Sequence, residues 1–92
     1  MKITVKAFAT FREVMDMQIE LEFPEGATVR TLLSELTGRY KGLGEMMFAD
    51  PDTLRDFVNI LKNGRNIHFI AGLATPLDEG DMIALFPPAA GG

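Results

Sequence analysis

The sequence contains no cysteine. That excludes disulfides, a cysteine-ligated zinc and any thiol nucleophile. It has no tryptophan, one tyrosine and a single histidine, His68. A histidine with no nucleophile or partnered carboxylate in sequence reads as structural, and no Ser-His-Asp or Cys-His set can be assembled. Basic residues number nine against thirteen acidic ones, for a net charge of −4. They are scattered, whereas nucleic-acid binding needs Lys and Arg clustered toward phosphates, so nucleic acid is not an expected partner. No apolar run approaches the ~18 residues of a membrane span. Met1-Lys2-Ile3-Thr4-Val5-Lys6 alternates apolar and polar residues and lacks the apolar stretch of a secretion signal. A cytoplasmic chain without membrane contact is expected. Gly42-Leu43-Gly44 lacks the third glycine and the lysine of a phosphate loop. Asp78, Glu79 and Asp81 lack the ligand spacing of a calcium loop and read as a solvated turn. No metal and no bound cofactor are expected.

What remains is an ordinary globular composition, 47% hydrophobic and 24% charged, of a length that suits one small domain. Lys2–Phe8 alternates as a strand, with Ile3, Val5 and Ala7 on one face and Lys2, Thr4, Lys6 and Phe8 on the other. Gln18–Phe23 alternates likewise, with Ile19, Leu21 and Phe23 inward, so the two strands are expected to form a hairpin. Pro24-Glu25-Gly26 is a turn. Thr28 is a good N-cap, and Val29, Leu32, Leu33 and Leu36 follow at i, i+3, i+4 and i+7, one apolar stripe on one helix. Residues 42–56 carry little pattern beyond a helical turn near Glu45–Phe48 and a turn at Asp50-Pro51-Asp52. Phe57–Lys62 reads as a strand, Asn63-Gly64 as a tight hairpin turn and Asn66–Phe69 as the returning strand. Asp78-Glu79-Gly80-Asp81 is a further turn, and Met82–Phe86 is the last strand, with Ile83 and Leu85 sharing a face. The order β-β-α-β-β-β predicts an α+β roll, one main helix across a mixed sheet. Its core should hold Ile3, Val5, Ile19, Leu21, Val29, Leu32, Leu33, Leu36, Ile83 and Leu85. Phe8 and Phe86 should lie together on the sheet face the helix leaves uncovered. With Arg12 they are candidates for a docking patch.

The chemistry is expected at the end of the chain. Residues 1–86 read as the domain and residues 87–92 as a flexible tail, Pro87-Pro88-Ala89-Ala90-Gly91-Gly92. The two prolines lack an N–H and stop the ladder after Phe86. Six residues beyond it span roughly 20 Å when extended. Neither terminal glycine has a Cβ, so the segment can thread a narrow tunnel and present a carboxylate to another protein's active site. A lone Gly-Gly end is ordinarily a frayed terminus; the residues before it give this one meaning. A carboxylate resists nucleophiles because it is charged and resonance-stabilised. Activation as an anhydride removes both obstacles, and with no ATP site of its own this chain needs a partner to adenylate Gly92. Sulfur could then replace the adenylate to give a thiocarboxylate, or a lysine amine could attack to give an isopeptide bond.

Asn63-Gly64-Arg65, Gly72-Leu73-Ala74-Thr75-Pro76-Leu77 and Gly80-Asp81-Met82-Ile83-Ala84-Leu85-Phe86-Pro87-Pro88-Ala89-Ala90-Gly91-Gly92 closely resemble the small subunit of molybdopterin synthase, a ubiquitin-like sulfur carrier. Phe8-Ala9-Thr10-Phe11-Arg12-Glu13 and the helix after Gly26-Ala27-Thr28-Val29 extend the likeness over nearly the whole chain, with 42–56 the weakest part. Ala89 departs from the family's usual valine. The resemblance implies a β-grasp fold and an E1-like adenylyltransferase that spends ATP on Gly92. It also implies a sulfur donor protein and a large synthase subunit that uses the thiocarboxylate to build the pterin dithiolene. Gly91 would pass the partners' tunnels, and Phe86, Pro87 and Pro88 would aim the tail. Other readings stand beside it: a protein modifier joined to lysines through Gly92, a carrier for tRNA thiolation, and a thiamin-pathway sulfur carrier, whose chains are usually shorter and lack the Phe-Pro-Pro approach.

Overall fold

The computed structural model describes residues 1–88; Ala89, Ala90, Gly91 and Gly92 lie outside the described residues. In chain order the elements are β1 (Lys2–Ala7), β2 (Gln18–Glu22), α1 (Val29–Arg39), α2 (Leu43–Met47), β3 (Phe48–Asp50), β4 (Thr53–Leu54), β5 (Asn59–Lys62), β6 (Arg65–Asn66) and β7 (Met82–Phe86). Short 3₁₀ turns occupy Ala9–Glu13, Ile67–Phe69 and Gly72–Ala74. The main sheet has five strands in the order β2-β1-β7-β5-β6, and β3 and β4 form a separate hairpin. β1 pairs antiparallel with β2, Val5 opposite Ile19, and parallel with β7, Val5 opposite Ile83. The last strand of the chain therefore lies at the centre of the sheet.

Alternation places Ile3, Val5, Ile83 and Leu85 on one face, all without solvent exposure, where the Val29, Leu32, Leu33 and Leu36 stripe of α1 joins the same core. Fully burying one such side chain stabilises by about 1.5–3 kcal/mol. Thr28 caps α1: its hydroxyl accepts from the Thr31 N–H, and the Thr31 hydroxyl accepts from the Thr28 N–H at 3.1 Å. The cap is tied to the segment before β7 by Val29 N–H donating to the Thr75 carbonyl at 2.9 Å. Thr75 is itself buried, with its hydroxyl donating to the Gly72 carbonyl at 2.7 Å and accepting from Ala71 N–H at 3.2 Å.

Four sequence-based expectations need correction. Ile19 is only half-buried, whereas the core also takes in Ala7, Phe11, Met15, Phe23, Ala27, Leu43, Met47, Ile60, Ile67 and Leu77. The strand read from Phe57 begins at Asn59; Phe57 takes a left-handed φ of 67° and stands 71% exposed. The returning strand ends at Asn66, because the Asn66 side chain accepts from the His68 N–H at 2.9 Å and turns the backbone into a 3₁₀ segment that buries Ile67. His68 thus lies in a turn rather than a strand. Finally, the acidic turn is not wholly solvated, since Asp81 is buried. The Asn63-Gly64 turn is as expected, with φ of 50° and 86°.

Candidate functional site

β7 ends at Phe86, whose pairing partner is Asn59 of β5. On its other side the Phe8 N–H donates to the Leu85 carbonyl at 3.0 Å, extending the β1–β7 pairing one residue past the end of β1. Phe86 shares its face with Met82 and Ala84, the face opposite the buried Ile83 and Leu85. The Phe8 and Phe86 rings stack there, with centroids 4.3 Å apart and planes 11° from parallel. Both are half-buried rather than fully exposed, because each covers the other. Leu61 opposes Ala84 on the same face and is half-buried too. Sequence reading missed Leu61, although its alternation with buried Ile60 was the available signal.

Arg12 comes to this place from the 3₁₀ turn after β1. Its guanidinium lies 5.3 Å from the centre of the Phe8 ring, and its Nε–H donates to the Ala7 carbonyl at 2.9 Å. The three predicted patch residues are therefore brought together. Pro87 is half-buried and Pro88 exposed, and neither can donate to a strand. Gly91 and Gly92 lie outside the described residues.

The opposite end of β7 is held by charge. Lys62 Nζ donates to Asp78 Oδ2 at 2.6 Å and to the Pro76 carbonyl at 2.6 Å, and lies 3.3 Å from Asp81 Oδ2. Asp81 also accepts from the Asn63 amide at 2.8 Å and the Asp78 N–H at 2.7 Å. The hydrogen bond to Asp78, opposed by partial burial and aided by Asp81, raises the Lys62 pKa above its ordinary value. This cluster braces the start of β7 and offers no reactive group.

Elsewhere, an open groove of about 780 Å³ runs past Phe57, Val58, His68 and Phe69. The His68 and Phe69 rings meet at nearly a right angle, with centroids 5.2 Å apart, and no group of three metal-ligating side chains occurs among the described residues. No helix among them is long and apolar enough to cross a membrane. The distinctive construction is thus the braced central strand that delivers the chain into Pro87.

The ThiS family profile matches residues 5–92. The chain belongs to the ThiS family. It is 41% identical over 93 residues to small archaeal modifier protein 3 of Haloferax volcanii, covering all of both chains. It is 36% identical over 69 residues to the sulfur carrier protein CysO of Mycobacterium tuberculosis, 73% of this chain and 74% of that one. Among solved structures, a Pyrococcus furiosus chain assigned as subunit 1 of molybdopterin converting factor superposes with a TM-score of 0.76 at 37% identity, covering 96% of this chain and 98% of that one. The fold is the ubiquitin-like β-grasp, and the family is one of ubiquitin-like sulfur carriers and modifiers.

Proposed function

We propose that this protein carries sulfur on Gly92. A partner of the E1 type transfers AMP from ATP to the Gly92 carboxylate, releasing pyrophosphate. A donor protein's persulfide is cleaved by a second thiol, which is left in a disulfide with the donor; the hydrosulfide so released attacks the acyl carbon, forms the C–S bond and expels AMP, leaving a thiocarboxylate. The large subunit of a molybdopterin synthase consumes that sulfur in building the pterin dithiolene. One observation carries the reading: in a ThiS-family chain, the strand ending at Phe86 runs directly into Pro87-Pro88-Ala89-Ala90-Gly91-Gly92. The likeness to a molybdopterin converting factor chain supports the choice of pathway. Incubation with a cognate E1-like enzyme, ATP and a sulfur donor should exchange one oxygen of the protein for sulfur, read by intact-mass spectrometry. A wild-type chain that no cognate enzyme adenylates would sink the proposal.

A second reading draws on the 41% identity to a small archaeal modifier protein. The steps agree as far as the acyl-adenylate. There a lysine amine attacks instead, AMP leaves, and an isopeptide bond joins Gly92 to the target. Recovery from the native host solely as lysine conjugates, with no thiocarboxylate, selects this reading.

A further inference from the structure

Arg12 reaches back over its own turn to the end of β1. Its Nε–H is fixed on the Ala7 carbonyl at 2.9 Å, and its guanidinium packs 5.3 Å over the Phe8 ring. Phe8 stacks on Phe86, and Phe8 N–H binds the Leu85 carbonyl. We propose that Arg12 is a positioning residue that clamps Phe8 on Phe86 and so sets the direction in which the chain leaves β7. The proposal rests on the reading that the segment beyond Phe86 is presented to a partner's active site.

Few other restraints act on residue 86 among the described residues. Past it, Pro87 and Pro88 donate no ladder bonds, so the last backbone restraint is the pairing with Asn59. The stacked ring of Phe86 adds a side-chain restraint to it. Two stacked rings alone resist tilting but slide readily along their faces, since dispersion has little directionality. A guanidinium packed over one ring adds an electrostatic preference for a fixed place on it. The Nε–H bond then ties that guanidinium to the main chain of β1. The clamp is thus anchored to backbone at both ends, at the Ala7 carbonyl and in the β7 ladder. A lysine here keeps the charge but has neither the planar face nor the Nε–H, so Arg12→Lys separates charge from clamp. Reactive placement is sensitive to aim, because a displacement of about 1 Å costs on the order of a hundredfold in rate.

The test compares wild type, Arg12→Lys and Arg12→Ala. In the free protein, ¹⁵N relaxation at Phe86 and ring-proton shifts of Phe8 and Phe86 report the clamp directly. Both variants should show added nanosecond motion at Phe86 and lose the ring-current shifts of the stack, while thermal melts confirm that each remains folded. With an E1-like enzyme, kcat for adenylation should fall about tenfold in both, the cost of one hydrogen bond and one cation–π contact, with KM changed less than about twofold. Unchanged relaxation and ring shifts at Phe86 overturn the proposal. So does a loss confined to KM, which makes Arg12 a direct partner contact. The free-protein measurements decide the clamp even if wild-type Gly92 is never adenylated, an outcome that removes the carrier reading alone.

Discussion

Lys62 is the residue whose removal is best defined physically. Its side chain is 13% exposed and meets Asp81 at 5%, so water screens the pair poorly, whereas Asp78 at 72% is well screened. Lys62→Met should cost about 2–3 kcal/mol, mostly by leaving the Asp81 carboxylate short of a partner. The folded-state pKa lies above the ordinary 10.5, so this contribution is fully present below pH 10.5 and is lost as pH rises through the higher folded value. Tyr40, whose pKa is raised first by burial and then by its hydrogen bond to Asp16, titrates in the same alkaline range. The check is therefore the difference between wild type and Lys62→Met in urea unfolding: constant at neutral pH, closing above pH 10.5. A gap that stays open there refutes the ion-pair account. Leu33 gives the apolar counterpart. It has no exposure in the α1 stripe, and Leu33→Ala should cost about 2–5 kcal/mol in the same assay. Ser34 beside it is exposed, and Ser34→Ala should change little.

Elements differ in how far they could be read from the chain. α1 was legible because one cap and four leucine or valine positions state a single period over about two turns, and local signal and tertiary burial agree. Asn63-Gly64 was legible because its left-handed backbone demands those residue types. Phe11 was not, since a one-turn 3₁₀ segment has no period to detect even though it buries that ring completely. Asn66–Phe69 misled for a different reason: Asn66 competes for the backbone with its own side chain, a choice that alternation of apolar residues does not encode. At the site, strand parity alone put Phe8 and Phe86 on one face. Their stacking depends on the parallel β1–β7 pairing, a contact across most of the chain that no local pattern specifies. The stack also fixes a prediction for the end of β7. Phe86→Ala should cost about 1–2 kcal/mol through lost stacking and half-buried area, and the domain should stay folded. Its affinity for the large synthase subunit proposed as its partner, measured by calorimetry, should fall at least about tenfold if the ring anchors a docking face. Unchanged affinity removes Phe86 from that face.

For the molecule as a whole, the proposed function makes folding and chemistry separable along the chain. The core runs from Ile3 to Leu85, and the central strand is braced at its start by Lys62 and Asp81 and at its end by Phe8. No residue after Phe86 belongs to a described strand or helix. With residues 87–92 read as a tail, changes at Gly91 and Gly92 should leave unfolding curves superimposable on wild type. Their effects on activation should nevertheless differ in kind. Deleting Gly92 moves the carboxylate back by one residue, about 3.5 Å when extended, beyond the tolerance of an adenylating site, so sulfur exchange should vanish while binding to the activating enzyme persists. Gly91→Phe keeps the carboxylate in register but adds a side chain that a tunnel shaped for glycine excludes, so binding and exchange should fail together. Measuring affinity by calorimetry and exchange by intact mass on the same samples separates the two. If Gly91→Phe is activated at the wild-type rate, the tail does not pass through a closed tunnel. A folded Gly92 deletion that still acquires sulfur shows that the reactive carbon lies elsewhere, and the carrier assignment to Gly92 fails.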